Sequence, residues 1–245
     1  MLDLAAAYAE TQEHLADLVQ ELPGSELRRK VPASPAWTVQ DVVAHLTGVA
    51  ADAVGGTIPP ELDLLLSMSD STHAARRDEL TAQQVAARRD HSLGEILEEW
   101  SRHLPQLLPM IRGERPFPNG LPFGDAVLVT DLGVHAQDVR GALDRPGDRE
   151  SAAVSVALIS YATALVLKLA AAKLPSLRLR YEGKERVVGD GEPAATLEAG
   201  RFEIFRALAG RRSNQQILAM KWEGDPTPYV PLISAYGPRS DPIIE

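Results

Sequence analysis

The sequence predicts an antiparallel four-helix bundle followed by a smaller α+β region. Three observations carry that expectation. Four long segments within the first 150 residues repeat apolar side chains at helical spacing. The composition shifts near residues 145–150. Short alternating strands appear only after that shift. The expected division is 1–148 for the helical part and 149–245 for the α+β part.

The elements follow in order. Residues 2–22 place Leu4, Tyr8, Leu15, Leu18, Val19 and Leu22 mostly on one helical face, and Pro23-Gly24 stops that helix. Residues 25–37, with Pro32 and Pro35, read as a connector. Thr38 reads as an N-cap with Asp41 at the third helical position. The helix it starts runs to about Ala53 and breaks at Gly55-Gly56. Residues 59–81 are polar and read as helical in part. Residues 82–111 read as one long helical pattern through Ile96, Leu97, Trp100, Leu104, Leu107 and Leu108, which Pro105 is expected to kink or interrupt. Residues 112–124 are a loop, and a helix over about 125–143 ends at Asp144-Arg145-Pro146-Gly147.

After a helix at 150–173, Leu177 to Tyr181 alternates like a strand and Glu182-Gly183-Lys184 reads as a turn. Arg186 to Val188 and Ala195 to Glu198 are further short strands. Phe202 to Ala209 and about Ser213 to Met220 read as helices, and Trp222 as the start of a last strand.

Bulk composition narrows the function. A chain of 245 residues that is 44% hydrophobic can bury a substantial core. It has no cysteine, which excludes disulfides, cysteine zinc sites and an internal thiol nucleophile, and fits a reducing cytoplasm. A formal charge of −9 argues against nonspecific nucleic-acid binding. No stretch supplies the roughly 18 uncharged apolar residues of a membrane span. The nearest, Val154 to Leu174, contains Lys168 and Lys173 and reads as a packed helix. No basic leader is visible after Met1.

Two helices carry candidate chemistry. At about 100° per residue, Leu128, Leu132, Val139 and Leu143 cluster within about 60° of arc, and Asp131, His135, Asp138 and Ala142 form the adjoining strip. The i, i+4 spacing lets Asp131 and His135 reach a common point. On the helix from Thr38, the apolar stripe is Val39, Val42, Val43 and Leu46, with His45 on its flank. Helices meeting by these stripes bring His45 towards Asp131 and His135. Two imidazoles and a carboxylate form a common shell for a catalytic divalent metal with an open position. Flank histidines also serve as surface or capping residues, so spacing alone leaves both readings open. Asp138 is either a partner for an imidazole N–H or a helix-surface acid, and Asp41 shares that ambiguity. His14, His73, His91 and His103 lie in polar contexts and read as solvated.

Trp37-Thr-Val-Gln-Asp-Val-Val-Ala-His45-Leu resembles the W-[ST]-x-x-[DE]-[VL]-[VL]-x-H-[LV] segment of the mycothiol-dependent maleylpyruvate isomerase family. Asp131-Leu-Gly-Val-His135-Ala-Gln-Asp138-Val-Arg140-Gly-Ala-Leu143 resembles its E-x-x-x-H-x-x-D-[VL]-R-x-x-L signature. Phe202 to Ile217, with its Arg206-Ala-Leu-Ala-Gly210-Arg211-Arg212-Ser213 core, and Trp222 to Pro226 are similar to the family's small C-terminal domain. The resemblance implies a DinB-like metal-binding four-helix bundle followed by a small sterol-carrier-like α/β domain. It implies that His45, Asp131 and His135 hold one divalent metal, zinc being the expected ion, and that mycothiol is the cosubstrate. The family position matching Asp131 is commonly Glu. Asp is one methylene shorter, which draws the metal closer to its helix.

The implied chemistry is activation of an external thiol as the thiolate, followed by attack on an electrophilic small molecule, as isomerisation or S-transfer. Arg206 is the candidate catalytic anion-binding residue, expected to face the domain junction, and Arg211 and Arg212 are candidates for binding the thiol, because guanidinium pairs with carboxylate. A solvated or helix-terminal basic patch is the alternative for all three. Trp37 and Trp222 read as packing residues. Two other functions fit the same chain: a non-catalytic metal or small-ligand binder, and a metal-dependent hydrolase that needs no thiol.

Overall fold

The computed structural model describes residues 2–59, 71–121 and 124–245. It has a helical N-terminal region and a small sheet-containing C-terminal region. Two compact units divide the chain, Met1–Ala157 with Glu245, and Leu158–Ile244.

In the first unit, α1 (Leu4–Gln20) starts at Asp3, whose carboxylate accepts from the Ala6 N–H at 2.9 Å. It buries Ala5, Tyr8, Gln12, Leu15 and Val19, a spacing of three and four residues that keeps one face inward. After the short α2 (Gly24–Leu27), the expected connector is in fact a hairpin of β1 (Lys30–Val31) and β2 (Ser34–Thr38). Pro35 concealed it, since proline cannot donate to a ladder and belongs at a strand edge.

Thr38 and Asp41 form the expected capping box at the start of α3 (Val39–Gly55), with the Asp41 N–H donating to Thr38 Oγ1 at 3.2 Å and the Thr38 N–H to Asp41 Oδ2 at 2.8 Å. Gly56 ends the helix at φ +68°, a left-handed conformation that glycine adopts without penalty. The expectation for residues 59–81 is met by α4 (Ser71–Ala86) in part, and its 60–70 portion lies outside the described residues.

The single helix expected over 82–111 is two. A turn after α4 leads to Ser92, which caps α5 (Leu93–Ile111) through a second capping box with Glu95. Pro105 and Pro109 sit inside α5 without ending it. Each proline removes one N–H from the ladder, and the helix keeps its place through the burial of Ile96, Trp100, Leu107 and Ile111. The next helix, α6 (Gly124–Leu143), stops at Asp144, which takes a left-handed φ of +54°. Helix α1 packs on α5 and α6, and α3 on α4, α5 and α6. Their buried faces form a continuous core that includes Tyr8, Leu15, Val43, Leu46, Ile96, Trp100, Leu128, Leu132 and Val139.

The division between the units falls within α7 (Ala152–Ala171), later than the composition shift. Among the described residues α7 is the one helix long and apolar enough to cross a membrane by length and composition, and 56% of that window is buried.

In the second unit β3 (Leu177–Tyr181) pairs antiparallel with β4 (Lys184–Val188) through Glu182-Gly183, both at positive φ, as a tight hairpin turn requires. Strand β5 (Ala195–Glu198) lies parallel to β3, and β6 (Lys221–Glu223) antiparallel to β5, giving the order β4-β3-β5-β6. Leu177, Leu179 and Leu197 are fully buried, as are Ile204 and Phe205 of α8 (Arg201–Leu208) and Ile217 of α9 (Asn214–Leu218). Ser213 and Gln216 form the capping box of α9. The short α10 (Val230–Ile233) had no periodic signal in the sequence.

Candidate metal centre

His45 enters the core from α3 one turn after the Thr38–Asp41 box, and its side chain is 3% exposed. Asp131 and His135 come from successive turns of α6. The two helices pack together, and one ligand atom from each of the three residues lies within 4.8 Å of the others. Among the described residues this is the one such group of metal-binding side chains.

The carboxylate sits between the imidazoles. His45 Nε2 is 3.3 Å from Asp131 Oδ2, and His135 Nε2 is 3.6 Å from Asp131 Oδ1. The imidazole rings meet edge to face, with centroids 5.1 Å apart. The shorter carboxylate of Asp131 therefore reaches both histidines. Tetrahedral zinc with bonds of about 2 Å separates its ligand atoms by about 3.3 Å. The donor types suit such an ion, and the two histidine–carboxylate separations lie near that spacing.

Each imidazole has a polar side chain behind it. His135 Nδ1 stands 3.1 Å from Oδ2 of Asp138, whose side chain is fully buried. Of the two readings open for Asp138, the surface one is excluded by that burial. His45 Nδ1 lies 2.8 Å from Gln84 Oε1 on α4. The Gln84 amide in turn donates to Asp52 Oδ2 at 2.6 Å, and the Thr57 hydroxyl donates to Asp52 Oδ1 at 2.6 Å. Asp41 is used in the helix cap, not in the cluster.

Two aromatic side chains complete the surroundings. The indole of Trp37, on β2, lies 4.9 Å from the His45 ring and 5.9 Å from the His135 ring. Tyr8 is buried and accepts a hydrogen bond from the Trp100 indole at 3.1 Å. Burial pushes the Tyr8 phenol well above its ordinary range, the Trp100 bond opposes this, and the charge of Asp131 adds to it. Tyr8 therefore stays protonated near neutral pH.

The arginines singled out from sequence lie in the second unit. Arg206 is fully buried, its guanidinium 6.0 Å from the Phe202 ring centroid and 5.7 Å from that of Phe205. Arg211 donates to the Ala209 carbonyl at 2.6 Å and lies 5.7 Å from the Tyr236 ring. Arg212 grips Glu203 with two bonds, at 2.8 and 2.9 Å, and donates to the Arg211 carbonyl at 2.7 Å. Trp222 donates to the Ile217 carbonyl at 3.0 Å, a packing role.

Sequence reasoning missed Gln84, Asp52 and the place of Trp37 beside the imidazoles. Nothing local marks Gln84, which lies 39 residues from His45 in the chain. Trp37 belongs to β2 of the hairpin, where the sequence predicts only a connector.

The fold and this side-chain cluster define a protein with a helical candidate metal centre and a small α/β addition. The chain belongs to the family of the mycothiol maleylpyruvate isomerase N-terminal domain, whose model matches residues 8–140. Two solved structures are similar. One is a histidine-to-alanine mutant of the mycothiol-dependent maleylpyruvate isomerase, at 12% identity, covering 90% of this chain and 91% of that one with a TM-score of 0.55. The other is the mycothiol-dependent maleylpyruvate isomerase itself, at 14% identity, covering 85% and 88% with a TM-score of 0.50. At these identities the likeness shows the fold. No curated protein matches the chain.

Proposed function

We propose that this protein is a metal-dependent enzyme that uses mycothiol to isomerise, or transfer sulfur to, an electrophilic small molecule. The observation that carries the reading is the convergence of His45, Asp131 and His135, drawn from two helices, on one point. The family match supports mycothiol as the thiol. The helical region is read as a DinB-like four-helix bundle, and the second region as a sterol-carrier-like layer.

His45 Nε2, His135 Nε2 and the Asp131 carboxylate are the proposed ligands, and zinc is the proposed ion. Such a cation would lower the pKa of a thiol in its open position and hold it as the thiolate. Asp138 fixes the His135 ring from behind, and Trp37 shields one side of the imidazole pair from water. Addition of the thiolate to a conjugated double bond turns it into a single bond and moves an electron pair onto the neighbouring carbonyl. The adduct rotates, and reversal of the addition returns the thiolate and the isomerised double bond. Protonation of the enolate adduct by water, followed by release of the conjugate, instead gives S-transfer. Mycothiol persists as a thiol in a reducing compartment, so the cytoplasm is the proposed location.

The proposal extends to Arg206 as an anion-binding residue and to Arg211 and Arg212 as thiol-binding residues. Their buried internal contacts favour a second reading, in which they hold α8, α9 and the C-terminal segment together.

Metal analysis tests the core of the proposal. Wild-type protein should contain about one divalent ion per chain, lost in His135→Ala, and should turn over an electrophile only with added thiol. A metal-free wild type after reconstitution would overturn it. Turnover without thiol would favour a hydrolase, and metal binding without turnover a binding protein.

A further inference from the structure

We propose that Gln84 and Asp52 are positioning residues that hold His45 as its Nδ1–H tautomer and so aim the Nε2 lone pair at the proposed metal position. This inference rests on the metal reading for its purpose but not for its geometry.

A glutamine side chain can face either way, so its direction must come from its partners. Asp52 supplies it. A carboxylate only accepts, so the group 2.6 Å from Asp52 Oδ2 must be the amide nitrogen of Gln84. The amide oxygen then faces His45 Nδ1 at 2.8 Å. That oxygen also only accepts, which places a proton on Nδ1, so in the neutral ring Nε2 keeps its lone pair. Asp52 cannot swing away, because the Thr57 hydroxyl holds its other oxygen. Gln84 is 5% exposed, so water does not compete for the amide.

The packing is built for this reach. A Cβ on Gly48 would lie 2.6 Å from Gln84 Cβ and 2.7 Å from Cγ, so glycine alone lets α4 approach α3 this closely. Arg88 donates to the Gln84 carbonyl at 3.0 Å and pairs with Glu99 of α5, which anchors the end of α4. The consequence lies on the other side of the imidazole. His45 Nε2, carrying a lone pair, faces Asp131 Oδ2 at 3.3 Å. Two acceptors at that distance repel, and a cation bound between them relieves the repulsion, so the relay leaves the Nε2 lone pair aimed at the position a metal ion would take. Outer partners of this kind typically change metal affinity by about 10- to 100-fold.

The test reads the histidine ring nitrogens of metal-free protein by 15N NMR, with His45 assigned by its loss in His45→Phe. Wild type should show a protonated Nδ1 and an unprotonated Nε2 at His45. Gln84→Leu should lose that preference and bind zinc about 10- to 100-fold more weakly. Asp52→Leu, which leaves the Gln84 packing intact, should weaken it in the same sense. The double variant Gln84→Glu with Asp52→Asn keeps residue 84 accepting from His45 Nδ1 while the bond between residues 84 and 52 reverses, and it should restore the wild-type tautomer, which a purely steric role would not do. An unchanged tautomer and zinc affinity in folded Gln84→Leu or Asp52→Leu overturns the inference. The expected tautomer pattern in a protein that takes up no zinc would leave the relay standing and remove the metal reading instead.

Discussion

At Asp131 one side chain bridges both histidines, so this residue controls more than its own ligand bond. Asp131→Asn keeps the shape but removes the charge. It should lower zinc affinity by at least about tenfold, since carboxylate and imidazole ligands act together. Asp131→Glu adds a methylene and tests whether the short carboxylate sets the site. It should also weaken binding here, because Asp131 already reaches both imidazoles, at 3.3 and 3.6 Å. Competition with a chromophoric chelator measures both variants, and equal affinity in all three proteins would dismiss Asp131 as a ligand. Much of this cluster was legible in the sequence, because the i, i+4 pair and the flank position of His45 are local patterns. The residues behind His45 were not. Gln84 has no motif, and its role exists only because Gly48 admits α4 to the face of α3.

Element boundaries were readable wherever a cap announced them. Thr38 with Asp41, Gly56, and the turn at Glu182-Gly183 each satisfy a backbone requirement that particular residue types meet. The hairpin before α3 and the break between α4 and α5 were misread, because apolar spacing continued across the break and prolines hid the strand. Ser92 and Glu95 mark that break. The Ser92 side-chain and backbone bonds hold the Glu95 carboxyl below the ordinary glutamate range. A group lowered on folding stabilises the fold above its unfolded pKa, and that contribution disappears as the pH falls through the folded value. Glu95→Gln keeps a capping partner without titrating. Its melting temperature should therefore fall less steeply than that of wild type as the pH drops below the ordinary glutamate range. Identical acid limbs for the two proteins would show that the box does not titrate with folding.

For the molecule as a whole, the sequence conveyed a helical region followed by a sheet-containing one, since composition and periodicity both change between them. It could not convey whether the C-terminal arginines serve chemistry or architecture, because that depends on tertiary partners. The buried contacts of Arg206 predict architecture. Arg206→Met should lower stability by about 2 kcal/mol, read by denaturant titration, with little change in KM of the folded fraction. Unchanged stability with a raised KM would restore Arg206 to substrate binding. The closeness of Trp37 to both imidazoles has an optical consequence. An indole within 6 Å of each ring is a built-in emitter beside the cluster. Cobalt or copper seated there would quench its fluorescence, so occupancy can be followed by light alone, without label, thiol or substrate.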